Sequence, residues 1–143
     1  MPTLDHINWS STRRIAPRIT LDTFCSLLVD GRERHAVVLE LSASGVRVER
    51  PFEPAREGRI VQLELELPGI DEIIWARGEV RFARLSPLPG PGPEGAPRFT
   101  CRAGIHIAAA TQHDRRLLRD YVIEQRRRQR AGAAARRHLP RCA

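Results

Sequence analysis

Arg13-Arg14-Ile15-Ala16-Pro17-Arg18-Ile19-Thr20-Leu21-Asp22-Thr23-Phe24-Cys25-Ser26-Leu27-Leu28-Val29-Asp30-Gly31 spells a loop, a strand and a turn in that order. Pro17 opposes helix and removes a backbone donor, so the arginine-bearing start is expected as an extended loop. From Ile19 onward the residues Leu21, Thr23, Cys25, Leu27 and Val29 fall on one side of a chain with a period of two, the signature of a strand. Asp30-Gly31 supplies a two-residue hairpin turn. The return strand is expected from about Arg34 to Leu41, with Val37, Leu39 and Leu41 facing the core. Glu40 and Ser42 would then look outward together, because side chains alternate.

Working outward, Val46 and Val48 restart the alternation in a short strand stopped by Pro51. Val61, Leu63, Leu65 and Leu67, interleaved with Gln62, Glu64 and Glu66, give the clearest strand, ended by Pro68-Gly69. Ile74, Ala76, Gly78, Val80 and Phe82 form the next expected inward row, with Gly78 as a site for a bulge or bend. Ser86 to Pro97 is dense in proline and glycine and is expected as a mobile insert. Phe99, Cys101, Ala103, Ile105 and Ile107 make the last inward row. Six strands separated by turn signals predict an all-β fold, a six-stranded antiparallel barrel. Thr111, with Asp114 three residues on, can cap a C-terminal α-helix that docks Leu117, Leu118, Tyr121 and Val122 on the barrel.

The chemistry gathers at the two ends of the first hairpin. Arg13, Arg14 and Arg18 stand before the first strand, and Glu40, Ser42 and Gly45 stand at the end of the second. A guanidinium is a planar fork of donors that fits phosphate oxygens or the acceptor edge of guanine and can stack on a base. A carboxylate can accept from guanine N1–H and N2–H, and a glycine permits positive φ or close approach to a ligand. Together these groups suit a phosphorylated purine.

Arg14-x-x-x-Arg18 followed by Glu40-x-Ser42-x-x-Gly45 closely resembles the two-part signature of PilZ domains, bacterial receptor modules for cyclic di-GMP. Trp75-Ala76-Arg77-Gly78-Glu79-Val80-Arg81-Phe82 is similar to the family's fifth strand, and Arg102-Ala103-Gly104-Ile105-His106-Ile107 to its last. The resemblance implies a PilZ-like barrel with a C-terminal helix and a cyclic di-GMP site formed by Arg13, Arg14, Arg18, Glu40, Ser42 and Gly45. It further implies that Arg13, just ahead of the first motif, favours capture of the ligand as an intercalated dimer. Glu40 stands where the family carries Asp or Asn, which keeps acceptor chemistry but moves it one methylene outward.

The 143 residues suit one domain, expected over residues 13–125, with a flexible lead at 1–12 and an arginine-rich tail at 126–143 that frays into solvent. Seven arginines and no acid lie beyond Gln125, so the formal charge of +7 belongs to that tail, and the other 17 arginines balance the 17 acids. The tail would serve either solubility or an electrostatic contact. No apolar run spans a bilayer and the start lacks a basic-then-apolar leader, so a cytoplasmic protein is expected. Cys25, Cys101 and Cys142 are then free thiols in a reducing compartment.

His138 and Cys142 alone make no metal set, and the remaining histidines show no ligand or nucleophile–base spacing, so neither an enzyme nor a cofactor is expected. Three functions remain: a cyclic di-GMP receptor whose arginine loop orders on binding and changes a partner surface, a PilZ-fold adaptor without nucleotide, and a nucleic-acid-binding barrel. The last is disfavoured, because no outward row of aromatics is present for base stacking. The downstream protein partner is not legible.

Overall fold

The computed structural model describes residues 18–53, 58–90, 92 and 95–138. Its elements are β1 (Arg18–Val29), β2 (Arg32–Ser42), β3 (Gly45–Pro51), β4 (Ile60–Glu66), β5 (Ile73–Pro87), β6 (Phe99–Ala110) and helix α1 (Gln112–His138). The strands are all antiparallel neighbours in a closed barrel of order β1-β2-β3-β6-β5-β4. The backbone of β1 pairs with β4 only through Cys25–Leu28 against Leu65–Gln62, whereas its pairing with β2 begins at Arg18.

The turns follow their chemistry. Asp30 and Gly31 both take positive φ, 51° and 76°, as the tight β1–β2 hairpin requires. At Pro68-Gly69 the Ile70 N–H donates to the Leu67 carbonyl at 3.3 Å and Gly69 has φ 92°, the conformation a type II turn reserves for glycine. Between these turns Val61, Leu63, Leu65 and Leu67 point inward and are buried, as their alternation predicts. Cys25 lies in the same core, and burial pushes its thiol up to about 12, so it packs as a small inert hydrophobe.

Irregularities reassign several faces. β2 carries one more residue than β3 between Val38 and Glu40, and β1 one more than β2 between Thr20 and Thr23. Ahead of this break the buried side chains of β2 are Arg34, Ala36 and Val38, not the expected Val37 and Leu39, and only beyond it does Leu41 turn inward. In β5 a register break between Val80 and Phe82 takes Phe82 out of the expected inward row. Its ring lies over Gly104, which stands between the inward-facing Ala103 and Ile105; a Cβ there would come 2.1 Å from Phe82 Cε1. Gly78 sits at a further register break and faces the core, where a Cβ would meet Ile105 Cγ2 at 2.5 Å.

The proline- and glycine-dense insert is built into a hairpin rather than lying apart from it. β5 and β6 remain paired through Ser86–Thr100 and Pro87–Phe99, the Leu88 N–H donates to the Arg98 carbonyl at 2.8 Å, and the Gly92 N–H to Ala96 at 2.7 Å.

Thr111 caps α1 as expected, its Oγ1 accepting from the Asp114 N–H at 3.1 Å. The Asp114 carboxylate does not close the box; it accepts instead from the Trp75 N–H at 3.2 Å, tying the helix start to β5. Leu118, Tyr121 and Val122 are buried, and the Tyr121 hydroxyl donates to the Pro68 carbonyl at 3.0 Å. The helix does not end near Arg126. It continues through Gly132 to His138, and Gln129 Nε2 donates to the Thr20 carbonyl of β1 at 2.9 Å. The expected boundary at residue 126 therefore falls inside one helix.

Candidate functional site

Arg18 and Glu40 are brought together by register. On the β1–β2 ladder Arg18 lies opposite Ser42 and Thr20 opposite Glu40, so Arg18 and Glu40 are diagonal neighbours. The Arg18 Nη1 stands 3.6 Å from Glu40 Oε2. That nitrogen is shielded from solvent and makes no hydrogen bond to the described residues. Arg13 and Arg14, the other two expected guanidiniums, lie outside the described residues.

A third charged group completes the cluster. Arg47 of β3 is the cross-strand partner of Glu40, and its Nη1 donates to Glu40 Oε2 at 3.2 Å. Glu40 is thus flanked on β2 by guanidiniums from both neighbouring strands. The three side chains are 36%, 26% and 25% exposed for Arg18, Glu40 and Arg47, and pairs this wet contribute only about 0.2–1 kcal/mol each. Arg47 was not singled out from the sequence. The available signal was the alternation of β3, where inward Val46 and Val48 place Arg47 outward beside the acid of the preceding strand.

Ser42 departs from the expected outward pairing with Glu40. It is buried, and its Oγ accepts from the Gly45 N–H at 3.1 Å and the Ser44 N–H at 3.3 Å, with the Gly45 carbonyl and Ser44 Oγ each 3.3 Å away. The hydroxyl therefore shapes the β2–β3 turn, bonded to its backbone under cover. Gly45 is buried and pairs with His106 of β6, and it is not among the glycines with positive φ.

His106, one of the histidines without ligand or nucleophile–base spacing, lies across from Gly45 and Glu79. Its imidazole is held below the usual range by burial first and then by the Arg81 guanidinium, with Glu79 opposing and Arg115 adding to the depression. Arg81 is in turn paired to Glu79 at 3.4 Å. The outer face from Arg18 across Glu40 and Arg47 toward Arg81 is accordingly rich in guanidiniums, with Phe82 lying over Gly104 between them. A separate groove lined by Leu28, Ile60, Trp75 and Ala110 includes none of the motif residues.

Among the described residues no group of His, Cys, Asp or Glu could hold a metal ion, and no helix is long and apolar enough to cross a membrane.

No curated protein matches the chain. Solved structures do. The PilZ domain with cyclic di-GMP of YcgR from Escherichia coli is 18% identical with a TM-score of 0.62, covering 85% of this chain and 98% of that one. The Bacillus subtilis inhibitor of motility MotI/DgrA is 18% identical with a TM-score of 0.57, covering 80% of this chain and 52% of its own. The Borreliella burgdorferi PlzA protein in complex with cyclic di-GMP is 5% identical with a TM-score of 0.54, covering 100% of this chain and 61% of its own. These likenesses establish the shared fold. The PilZ domain family model matches residues 12–124, so the chain belongs to the PilZ domain family.

Proposed function

We propose that this protein is a receptor for cyclic di-GMP that passes the signal to a protein partner. The observation that carries this reading is the meeting of Arg18 and Glu40 on one outer patch of the barrel, with Arg18 Nη1 lacking a hydrogen bond among the described residues. A phosphate oxygen would complete that donor. The weak pairing with Glu40 is easily surrendered to a charge-assisted bond worth about 1.5–3 kcal/mol. Glu40 is placed to accept from a guanine edge, and Ser42 holds the turn that presents it. Arg13 and Arg14 are proposed to join Arg18 on the phosphates, with Arg13 favouring an intercalated ligand dimer. Neutralising the ligand's two phosphates with these arginines changes the surface offered to a partner.

The alternative, a PilZ-fold adaptor that binds no nucleotide, is favoured by one observation: the Glu40 carboxylate is already engaged by two arginines among the described residues, Arg18 and Arg47. Titration calorimetry separates the two. The receptor binds cyclic di-GMP with micromolar or tighter affinity, and Arg18→Ala weakens it about 10- to 100-fold, the equivalent of one charge-assisted bond. Absence of heat from the wild-type chain at high ligand concentration would leave the adaptor.

A further inference from the structure

The two arginines on Glu40 are not equivalent. Both approach the same oxygen, Oε2, but only Arg47 is at hydrogen-bond distance, 3.2 Å against 3.6 Å for Arg18. Arg47 is tied, whereas Arg18 makes an ionic contact and keeps an unspent donor. If an incoming phosphate draws Arg18 away, Glu40 would face that anion as a carboxylate stripped of one counter-charge. Such an arrangement is repulsive and drives the acid to swing away. Arg47 approaches from the opposite strand, β3, so its bond to Glu40 can persist while Arg18 moves.

A glutamate side chain also has several rotatable bonds, and its carboxylate discriminates between purines only if it is held in place. Guanine presents two donors, N1–H and N2–H, to a fixed carboxylate. Adenine presents an acceptor at N1, which the same carboxylate repels.

Resting on the cyclic di-GMP reading, we propose that Arg47 is the positioning residue of this site: it holds Glu40 oriented toward the guanine edge while Arg18 transfers to phosphate, and so sets the preference for guanine over adenine. The bond from β3 also links ligand occupancy to a strand whose other edge pairs with β6, beyond the first hairpin.

The test measures cyclic di-GMP and cyclic di-AMP binding by calorimetry for the wild type, Arg47→Ala, Arg47→Lys, Glu40→Gln and the Arg47→Ala/Glu40→Gln double variant, each checked for a cooperative thermal melt. Arg47→Ala is expected to weaken cyclic di-GMP about tenfold and to narrow the gap between the two ligands, with Arg47→Lys recovering part of both. In the Glu40→Gln background the same Arg47→Ala change is expected to cost less than threefold, because the carboxylate it serves is gone. Equal losses from Arg47→Ala in both backgrounds would show that Arg47 acts on the ligand independently and overturn the proposal. So would wild-type binding that Arg47→Ala leaves unchanged in strength and selectivity. A wild-type chain that binds neither ligand removes the receptor reading itself, a result distinct from either.

Discussion

His113, at the start of α1, places Nε2 2.6 Å from Glu72 Oε2 on the turn before β5. Its pKa is raised above 6.5, first by that hydrogen bond and then by the Glu72 charge, although the ring is open to solvent. A histidine whose folded-state pKa is raised gives a contribution fully present below its unfolded value of 6.5 and lost as pH rises through the higher folded value. The contact therefore ties the helix start to the barrel more firmly in mild acid than in mild base. Proton NMR titration of the His113 ring should give a pKa above that of the Glu72→Gln variant, which falls back toward 6.5. Superimposable titration curves would remove the link. His106 responds in the opposite sense, held down by burial and by Arg81, so the two histidines report on separate regions of the surface.

At the scale of elements, legibility depended on whether a strand kept its period. β4 has no break in its pairing with β5, and its inward row of Val61, Leu63 and Leu65 was evident from alternation alone. β2 was harder, because a break at Leu39 shifts its parity by one and exchanges Val37 for Val38, while the turn bonds of Ser42 draw it under cover. A bulge is set by how three strands fit around a closed ring, and no residue type in the segment announces it. The same cause hid the outward turn of Phe82. At the site, the Arg18–Glu40 meeting was foreseeable from the hairpin. For Arg47 the alternation of β3 gave the outward face, but its pairing opposite Glu40 needed the register across the β2 break, which the sequence does not carry. The bare backbone at Gly104 exists to receive the Phe82 ring, and this is open to test. Gly104→Ala must push the ring aside and is expected to destabilise the fold by about 1–3 kcal/mol in urea unfolding, as overpacked sites do. Adding Phe82→Ala should recover part of that loss, and a Gly104→Ala protein as stable as wild type would rule out the close contact.

Across the whole molecule, α1 connects regions far apart in sequence. It begins beside Trp75 and Glu72, buries Leu118, Tyr121 and Val122 on the barrel, and reaches Thr20 through Gln129. The arginines from Arg126 to Arg137 that looked like part of a separate tail thus ride on a helix anchored next to the β1 end that carries Arg18. A chain ending at Gln125 loses the Gln129 contact, and its amide exchange should quicken over Arg18–Phe24 while Cys25–Leu28 stays protected. Uniform protection along β1 in both chains would mean that the helix end contributes nothing there.

The seam between β1 and β4 gives β1 two mechanical halves. From Arg18 to Phe24 the backbone of the strand pairs with β2 alone, with one side-chain bond from Thr23 Oγ1 to the Glu66 carbonyl of β4 at 3.3 Å, and from Cys25 it pairs on both sides. Tension arriving from the residues ahead of Arg18 would peel the first half one rung at a time, with Gln129 and Thr23 as side catches, and would load the full backbone ladder of the ring on reaching Cys25. The guanidinium at Arg18 therefore rides on the part of the barrel that can yield to a tug while the rest keeps its shape.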